Sequence, residues 1–360
     1  MFKKWLKDLH WPLIIAMLAL SALGILFIYS SSYRDPGEFQ LRQLFWAGIG
    51  FAIFFLMPLL GYRTFLSSSY LLYAISLVLL LWVDIAGHTR LGAQRWIGIG
   101  PFVIQPSEFA KLSTVLALAN FLGSHHSWEK ENRIILGAIA MTMVPMFLIM
   151  KQPDLGSSLL FVPILVVLLL LWGIRYRYLI SAVILGAVAA PFLWVFLKEY
   201  QKKRILVFLN PQMDPLGSGY TAIQSKIAVG SGGFWGKGFM QGTQSQLNFV
   251  PEHHTDFIFC VLGEEWGFLG AVLLLFLYGY LFHALFQILT HTTDFKAKLL
   301  TAGILSVIFA QVFINIGMTI GMMPIAGLPL PFVSYGGSSF VSISIALGLA
   351  LSVHKERSIF

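Results

Sequence analysis

Apolar runs long enough to cross a bilayer recur along the chain near 12–31, 43–60, 70–87, 106–122, 134–150, 156–172, 179–197, 257–289, 298–322 and 337–353. A bilayer core needs roughly 20 residues of helix, and polar or glycine- and proline-bearing breaks separate the runs. The pattern predicts an all-α polytopic membrane protein with about ten transmembrane helices, forming one integral-membrane domain over 1–360. Lys3, Lys4 and Lys7 precede the first run, as basic residues precede the core of a signal peptide. That run is longer than the usual core of roughly 7–15 residues and no Ala-x-Ala site follows, so it reads as an uncleaved first helix.

Composition agrees and narrows the class. The 360 residues are 57% hydrophobic and only 11% charged, against about a quarter charged in an average soluble chain. That is too little charge to cover a soluble globule of this size, which excludes a soluble enzyme. A disulfide scaffold is excluded as well, because Cys260 is the single cysteine. The net charge of +8 is scattered in ones and twos between apolar runs, which suits membrane flanks rather than a nucleic-acid surface.

Basic residues in short loops set orientation, because they are retained on the cytoplasmic side. With the N-terminus inside, the cytoplasmic segments hold Lys3, Lys4, Lys7, Arg63, Lys130, Arg133, Arg175, Arg177, Lys296, Lys298, Lys355 and Arg357. The short external segments hold half as many: Arg34, Arg42, Arg90, Arg95, Lys111 and Lys151. Both termini are therefore expected in the cytoplasm, in keeping with an even number of spans.

The segment between the seventh and eighth runs, about 198–256, is then external and unusually long. Loops beyond about 15 residues tend to be functional or disordered. Phe208, Tyr220, Phe234, Trp235, Phe239 and Phe249 are spread through this one, which argues against disorder and for a partly re-entrant loop on the outer leaflet. Irregular backbone at that depth needs protein or a water-filled cavity to satisfy its polar groups. The stretch GSGGFWGKGFMQG at 230–242 lets the backbone turn and approach a ligand. A second broken segment, Met322 through Ser339, interrupts the chain before the last run.

Charged side chains within or beside spans are costly and mark function by default. Those present are Asp84, Glu108, Lys111, Asp154, Asp256, Glu264 and Glu265. All but Glu264 and Glu265 fall at predicted external helix ends, which points to a site open to the outer leaflet. Glu108 and Lys111 stand three apart after Gln105-Pro106-Ser107, so they share a helix face near its start. They could form a buried tie between helices, or Lys111 could contact an anionic group while Glu108 holds it. Asp154 and Asp256 each precede an apolar run, where a helix cap is the plain alternative to a carboxylate offered to substrate. Glu264 and Glu265 are expected to face the bundle interior and pair with another helix. Glu252, His253, His254 and Asp256 could in principle bind a metal, but adjacent histidines on an irregular segment are not the i,i+4 spacing of a zinc helix. No cofactor is required by the sequence. A divalent cation, Mg or Mn, could bridge phosphate oxygens, but no residue pattern demands it.

Five segments resemble the SEDS family (shape, elongation, division and sporulation proteins), and its elongation branch rather than its division branch. They are GAQRWIGIGPFVIQPSEFAK at 92–111, QPDLGSS at 152–158, 210–259 from NPQMDPLGSGY to HHTDFIF, EEWGFLG at 264–270 and GLPLPFVSYGGSS at 327–339. The resemblance implies a peptidoglycan glycosyltransferase of the bacterial inner membrane that polymerises lipid II, an undecaprenyl-diphosphate-linked disaccharide-pentapeptide, for elongation and rod shape. It implies a class B penicillin-binding protein, a transpeptidase of the elongation machinery, as partner. It also implies that Asp256 is the essential carboxylate, that Glu108 and Lys111 are the family's paired charges, and that Arg95 and Trp96 belong to its outer motif. Asp154 matches a further acidic position, and Arg204 and Lys226 match basic loop positions.

These residue types suit the chemistry. A diphosphate is already a good leaving group, so the reaction needs positive charge to receive it and a base for the acceptor hydroxyl. An isolated carboxylate among basic residues fits inverting transfer better than a two-carboxylate hydrolase does. The competing readings are a lipid II flippase and a non-catalytic scaffold for the penicillin-binding protein. A flippase would place polar sites near the midplane and on both sides, and a scaffold leaves the external carboxylate without a role.

Overall fold

In the computed structural model the described residues are 9–33, 39–90, 93–99, 102–125, 131–215 and 217–357. Lys3, Lys4, Lys7, Arg34 and Lys130 lie outside them. The chain is a helical bundle, and every predicted apolar run forms helix. In chain order these are α1 (Trp11–Ser32), α2 (Phe39–Leu60), the short α3 (Tyr62–Ser67), α4 (Ser69–Ala86), α5 (Pro106–Ser124), α6 (Glu131–Lys151), α7 (Leu155–Leu159), α8 (Phe161–Trp172) and α9 (Tyr176–Phe196). The 198–256 segment contributes α10 (Glu199–Leu209), α11 (Ser218–Ser231) and α12 (Thr243–Gln246), and the C-terminal part is α13 (Ile258–His291), α14 (Phe295–Thr319) and α15 (Gly337–Arg357).

Eight of these segments are long and apolar enough to cross a membrane, with α7 and α8 counting together as one. The remaining expected spans are α5 and α9. Glu108, Lys111 and Asn120 lower the hydropathy of α5, which can carry them because 14 of its 19 residues are buried in protein. It packs against α4, α6, α8, α14 and α15 and so stands at the centre. Helix α9 is its opposite: Val183, Leu185 and Phe192 are each about 70% exposed, an apolar surface matched to lipid.

The core is one large cluster joining α1, α2, α5, α8, α13, α14 and α15. Both ends of the chain meet at one end of the bundle, where the rings of His10 and His354 lie 4.7 Å apart. The same end gathers the Arg63–Glu356 and Arg175–Glu131 ion pairs and the bond from Tyr62 to Asp294.

The expectation of an all-α chain needs one correction. Between α4 and α5, β1 (His88–Arg90), β2 (Ala93–Ile99) and β3 (Phe102–Ile104) form an antiparallel three-stranded sheet. Trp96 pairs with His88, and Ile97 with Ile104. Period-2 alternation in such short strands is hidden among helical runs. The segment read as a loop at 198–256 is also largely helical, carrying α10, α11 and α12. Its glycines join those helices rather than replacing them.

Helix α13 breaks at Gly267, where φ is 60° and ψ −152°, a conformation that only glycine adopts readily. The glycine-rich segment fills the break. Lys237 and Gly238 donate backbone bonds to the carbonyls of Glu264 and Glu265, while Phe268 and Leu269 donate to those of Gly233 and Phe234. Backbone groups freed by the break are thereby satisfied inside the protein, as an apolar surrounding demands. The second irregular segment, 321–336, is buried at Leu328, Leu330, Phe332 and Val333, and its amides and carbonyls bond to side chains of neighbouring helices.

Candidate active site

Asp256 lies two residues before α13, directly ahead of its N-cap Phe257, where α13, α14 and the 321–336 segment meet. Its backbone is gripped on several sides. Asn315 of α14 donates from Nδ2 both to the Asp256 carbonyl, 2.8 Å, and to the Leu328 carbonyl, 2.6 Å. Ser334 Oγ donates to the Thr255 carbonyl at 2.5 Å, and the Tyr335 amide donates to the His254 carbonyl at 3.0 Å. The carboxylate itself lies over Gly327, where an added Cβ would sit 3.4 Å from Oδ2. Gly327 has φ +69°, so a side chain there would strain the backbone on which the carboxylate rests. Among the described residues no donor bonds to the Asp256 carboxylate and no cation lies within 4 Å of it.

That carboxyl is shifted. Burial is the main cause raising it to about 7, the like charges of Glu252 and Asp154 add to the rise, and Arg95 and Arg204 oppose it. Ordinary aspartates titrate near 4. A base poised near neutrality is well matched to taking a proton at physiological pH.

Asp154 is 2% exposed and is both a helix cap and a charge partner. Its Oδ1 accepts the Ser157 amide at 3.1 Å, and its Oδ2 faces Arg95 Nη1 at 3.7 Å and Gln105 Nε2 at 3.3 Å. Arg95, on β2, also donates to the carbonyls of Gln152 and Pro153. The sheet is thereby pinned to the turn before α7. Arg204 on α10 donates from Nη1 to the Ile325 carbonyl at 3.2 Å. Burial and the like charge of Arg95 hold its guanidinium below the usual range, partly offset by Asp154, Tyr200 and Asp256. Arg95, Asp154, Arg204 and Asp256 thus lie within electrostatic reach of one another at the mouth. Lys226 of α11 lines a pocket with Arg204. Trp96 sits half-buried on β2, next to Arg95.

Glu108 and Lys111 are set apart from this mouth. They pair at 2.7 Å, each 2% exposed, and Lys111 Nζ also faces Gln311 Oε1 at 3.4 Å. They border an interior cavity of about 20 Å³ with Ser342 and Ala346, and Glu108 Oε2 is buried without a hydrogen-bond partner among the described residues. Gln311 carries the link onward, donating to the Pro329 carbonyl at 2.8 Å. Gln311 and Asn315 stand one turn apart on the same face of α14, so the buried pair supports the segment that carries Gly327.

Glu264 faces the glycine-rich loop rather than another membrane helix. It accepts from Lys237 Nζ at 2.7 Å, the Gln244 amide at 2.9 Å, and the Ser245 amide and Thr243 hydroxyl at 3.2 Å each. Glu265 accepts from Ser30 Oγ of α1 at 2.5 Å. Asn315, Ser334, Lys237 and Gln311 escaped the sequence reading because uncharged or loop residues carry no signal until their partners are placed. No group of three His, Cys, Asp or Glu side chains that could hold a metal ion occurs among the described residues.

A family model for the FtsW/RodA/SpoVE cell cycle proteins matches residues 10–359. The chain is 39% identical over 346 residues to the peptidoglycan glycosyltransferase MrdB of Escherichia coli K12, covering 96% of this chain and 93% of that one. It is 33% identical to the peptidoglycan glycosyltransferase RodA of Treponema pallidum, with 98% of each covered. Among solved structures, a chain of a peptidoglycan synthase complex that coordinates polymerization and crosslinking is similar with a TM-score of 0.84. It is 34% identical, and 96% of this chain and 98% of that one are covered. The rod shape determining protein RodA of Thermus thermophilus is similar with a TM-score of 0.72, at 30% identity over 96% of this chain and 97% of that one.

Proposed function

The chain belongs to the FtsW/RodA/SpoVE family and is a multi-pass membrane peptidoglycan glycosyltransferase, and from that premise we propose that Asp256 is the general base of its sugar transfer. The substrate in this reading is lipid II, polymerised into glycan strands on the outer face of the bacterial inner membrane for elongation. The observation that carries it is the Asp256 carboxylate, unpaired and raised to about 7 beside Arg204 and Arg95.

The acceptor 4-hydroxyl gives its proton to Asp256 as its oxygen attacks the anomeric carbon. The bond from that carbon to the diphosphate oxygen breaks on the opposite face, and undecaprenyl diphosphate leaves with the electron pair. Inversion makes the product β-linked from an α-configured donor. Arg95 and Asp154 fix the sheet over the mouth, placing Trp96 where a sugar face would pass. Glu108 and Lys111 hold the interior on which the mouth rests. A Mg or Mn ion, where used, would be held by the diphosphate oxygens, since no group of three His, Cys, Asp or Glu side chains fit to hold it occurs among the described residues.

The full arrangement is ten spans with both termini in the cytoplasm, supported by the meeting of His10 and His354 at the bundle end that also holds Arg63, Arg175 and Lys355. Reporter fusions at Tyr176 and Asp294 should behave as cytoplasmic, and one at Pro215 as external. The partner is a single-span class B penicillin-binding protein, recovered by co-purification in detergent. The decisive experiment is polymerisation of purified lipid II by the detergent-solubilised protein, alone and with that partner. Wild-type protein that makes no polymer under either condition would overturn the reading.

A further inference from the structure

The basic residues of the mouth and interior differ in what already occupies them. Arg95 spends Nε and Nη2 on carbonyls and turns Nη1 to Asp154. Lys111 is taken by Glu108 and Gln311. Arg204 makes one bond, to the Ile325 carbonyl, and Lys226 makes neither a hydrogen bond nor an ion pair among the described residues. These last two line the same pocket, between α10, α11 and the chain at Gly321–Ile325. No carboxylate is among its lining residues, and Ser218 adds a hydroxyl. Its room of about 20 Å³ is of the order of one or two water molecules. Phosphate oxygens can enter, whereas a sugar ring must stay outside.

We propose that this pocket receives the diphosphate of the sugar donor, not that of the acceptor, with Arg204 and Lys226 as its ligands. The inference rests on Asp256 being the base. An acceptor oxygen that gives its proton to Asp256 lies about 2.6–3.2 Å from it and about 3–3.5 Å from the anomeric carbon it attacks. The leaving diphosphate is attached to that same carbon, so it departs a few ångströms from the base. The acceptor's own diphosphate hangs from the far sugar of its disaccharide, two rings away from the attacking hydroxyl. Arg204 bonds to the Ile325 carbonyl at 3.2 Å, two residues before Gly327, over which the Asp256 carboxylate lies, and this places it with the leaving group. As the carbon–oxygen bond breaks, negative charge grows on the bridging oxygen and spreads into the phosphate, where two unpaired cations stabilise it.

The test uses full-length protein in detergent and a lipid II whose 4-hydroxyl is blocked, so that it serves as donor only. Ordinary lipid II at varied concentration then reports the acceptor. Losing one charge-assisted contact, roughly 1.5–3 kcal/mol, should raise the KM for the blocked donor about 10- to 100-fold in Lys226→Gln and Arg204→Gln, with the acceptor KM unchanged. Lys226→Arg should recover most of the loss. Lys226 is exposed, so its Gln variant folds whether or not the Arg204 variant does. An equal rise in both KM values, a rise for the acceptor alone, or no rise would overturn the assignment. Those outcomes require a wild type that polymerises and an Asp256→Asn that does not, so they are distinct from failure of the base assignment itself.

Discussion

The bundle interior and the outer mouth both hold carboxylates in apolar surroundings, and they treat them in opposite ways. In the interior, Glu108 meets Lys111 at 2.7 Å, and Glu264 is surrounded by Lys237, Thr243, Gln244 and Ser245. At the mouth, Asp256 has its backbone tied by Asn315, Ser334 and Tyr335 while its carboxylate is left without a partner. A charge that is fully paired stabilises structure and has no capacity left for substrate. A charge fixed in place but unpaired is available for chemistry, at the cost of a raised pKa. Exposure differs between the two, Asp256 being half-buried and Glu108 and Glu264 buried, but it is the use of the oxygens that frees Asp256 for chemistry.

The largest expected effect is at Asp256. Asp256→Asn keeps size and shape but removes the base, so polymer formation should fall about 10²- to 10⁴-fold while the protein still purifies with its partner. Substantial polymer from this variant would falsify the base assignment and make Asp256 a helix-start residue like any other.

The interior pair should fail differently. Removing one member of a buried pair leaves the other charge uncompensated, a loss of roughly 3–5 kcal/mol. Glu108→Gln and Lys111→Met should therefore melt well below wild type, with activity lost alongside stability. Melting curves that superimpose on wild type would show that the interior charges are not a structural pair.

The raised carboxyl of Asp256 predicts two pH signatures. Activity requires the ionised form, so the rate should climb about tenfold per unit as pH rises toward 7 and level off above it. Stability runs the other way. A folded-state value of about 7 against an unfolded value near 4 means the protonated form favours the fold, so this contribution is present at low pH and is lost as pH rises through 7. The melting temperature of Asp256→Asn should gain on wild type between pH 5 and pH 8. A constant gap across that range would remove the shift.

The smallest effect is expected at the backbone clamp. Ser334→Ala deletes two neutral hydrogen bonds, one given to the Thr255 carbonyl and one taken from the Leu330 amide, about 1 kcal/mol each, so kcat should fall a few-fold with the KM for lipid II nearly unchanged. A change confined to KM would mean that Ser334 touches substrate instead of placing Asp256.

Much of this molecule is legible in its residues taken one stretch at a time. The apolar runs mark the helices because a helix in lipid must be apolar along its length; all ten runs are helical, and eight segments are long and apolar enough to cross a membrane. Asp84, Glu108, Lys111, Asp154 and Asp256 could be picked out because charge beside a span is rare, and the motif at 327–339 was already marked as broken by its prolines and glycines. Short-range signals of this kind also indicated that Asp154 could cap a helix, as its bond to the Ser157 amide shows.

Tertiary structure alone decided which charges are spent and which remain. Lys237 and Glu264 are 27 residues apart in sequence, Asn315 and Asp256 are 59 apart, and Lys111 and Gln311 are 200 apart. No local pattern encodes such pairs, because each depends on how whole helices pack. The sheet at 88–104 and the helices of 198–256 were likewise hidden, since short elements in a polar, glycine-bearing stretch take their form from the surfaces they dock on. Sequence by itself determined the class of protein, its long apolar helices and the set of ionisable residues. Packing decided that Arg95, Lys111 and Glu264 are consumed by partners, whereas Asp256 at the mouth, and Arg204 and Lys226 in the pocket they share, keep bonding capacity to spare.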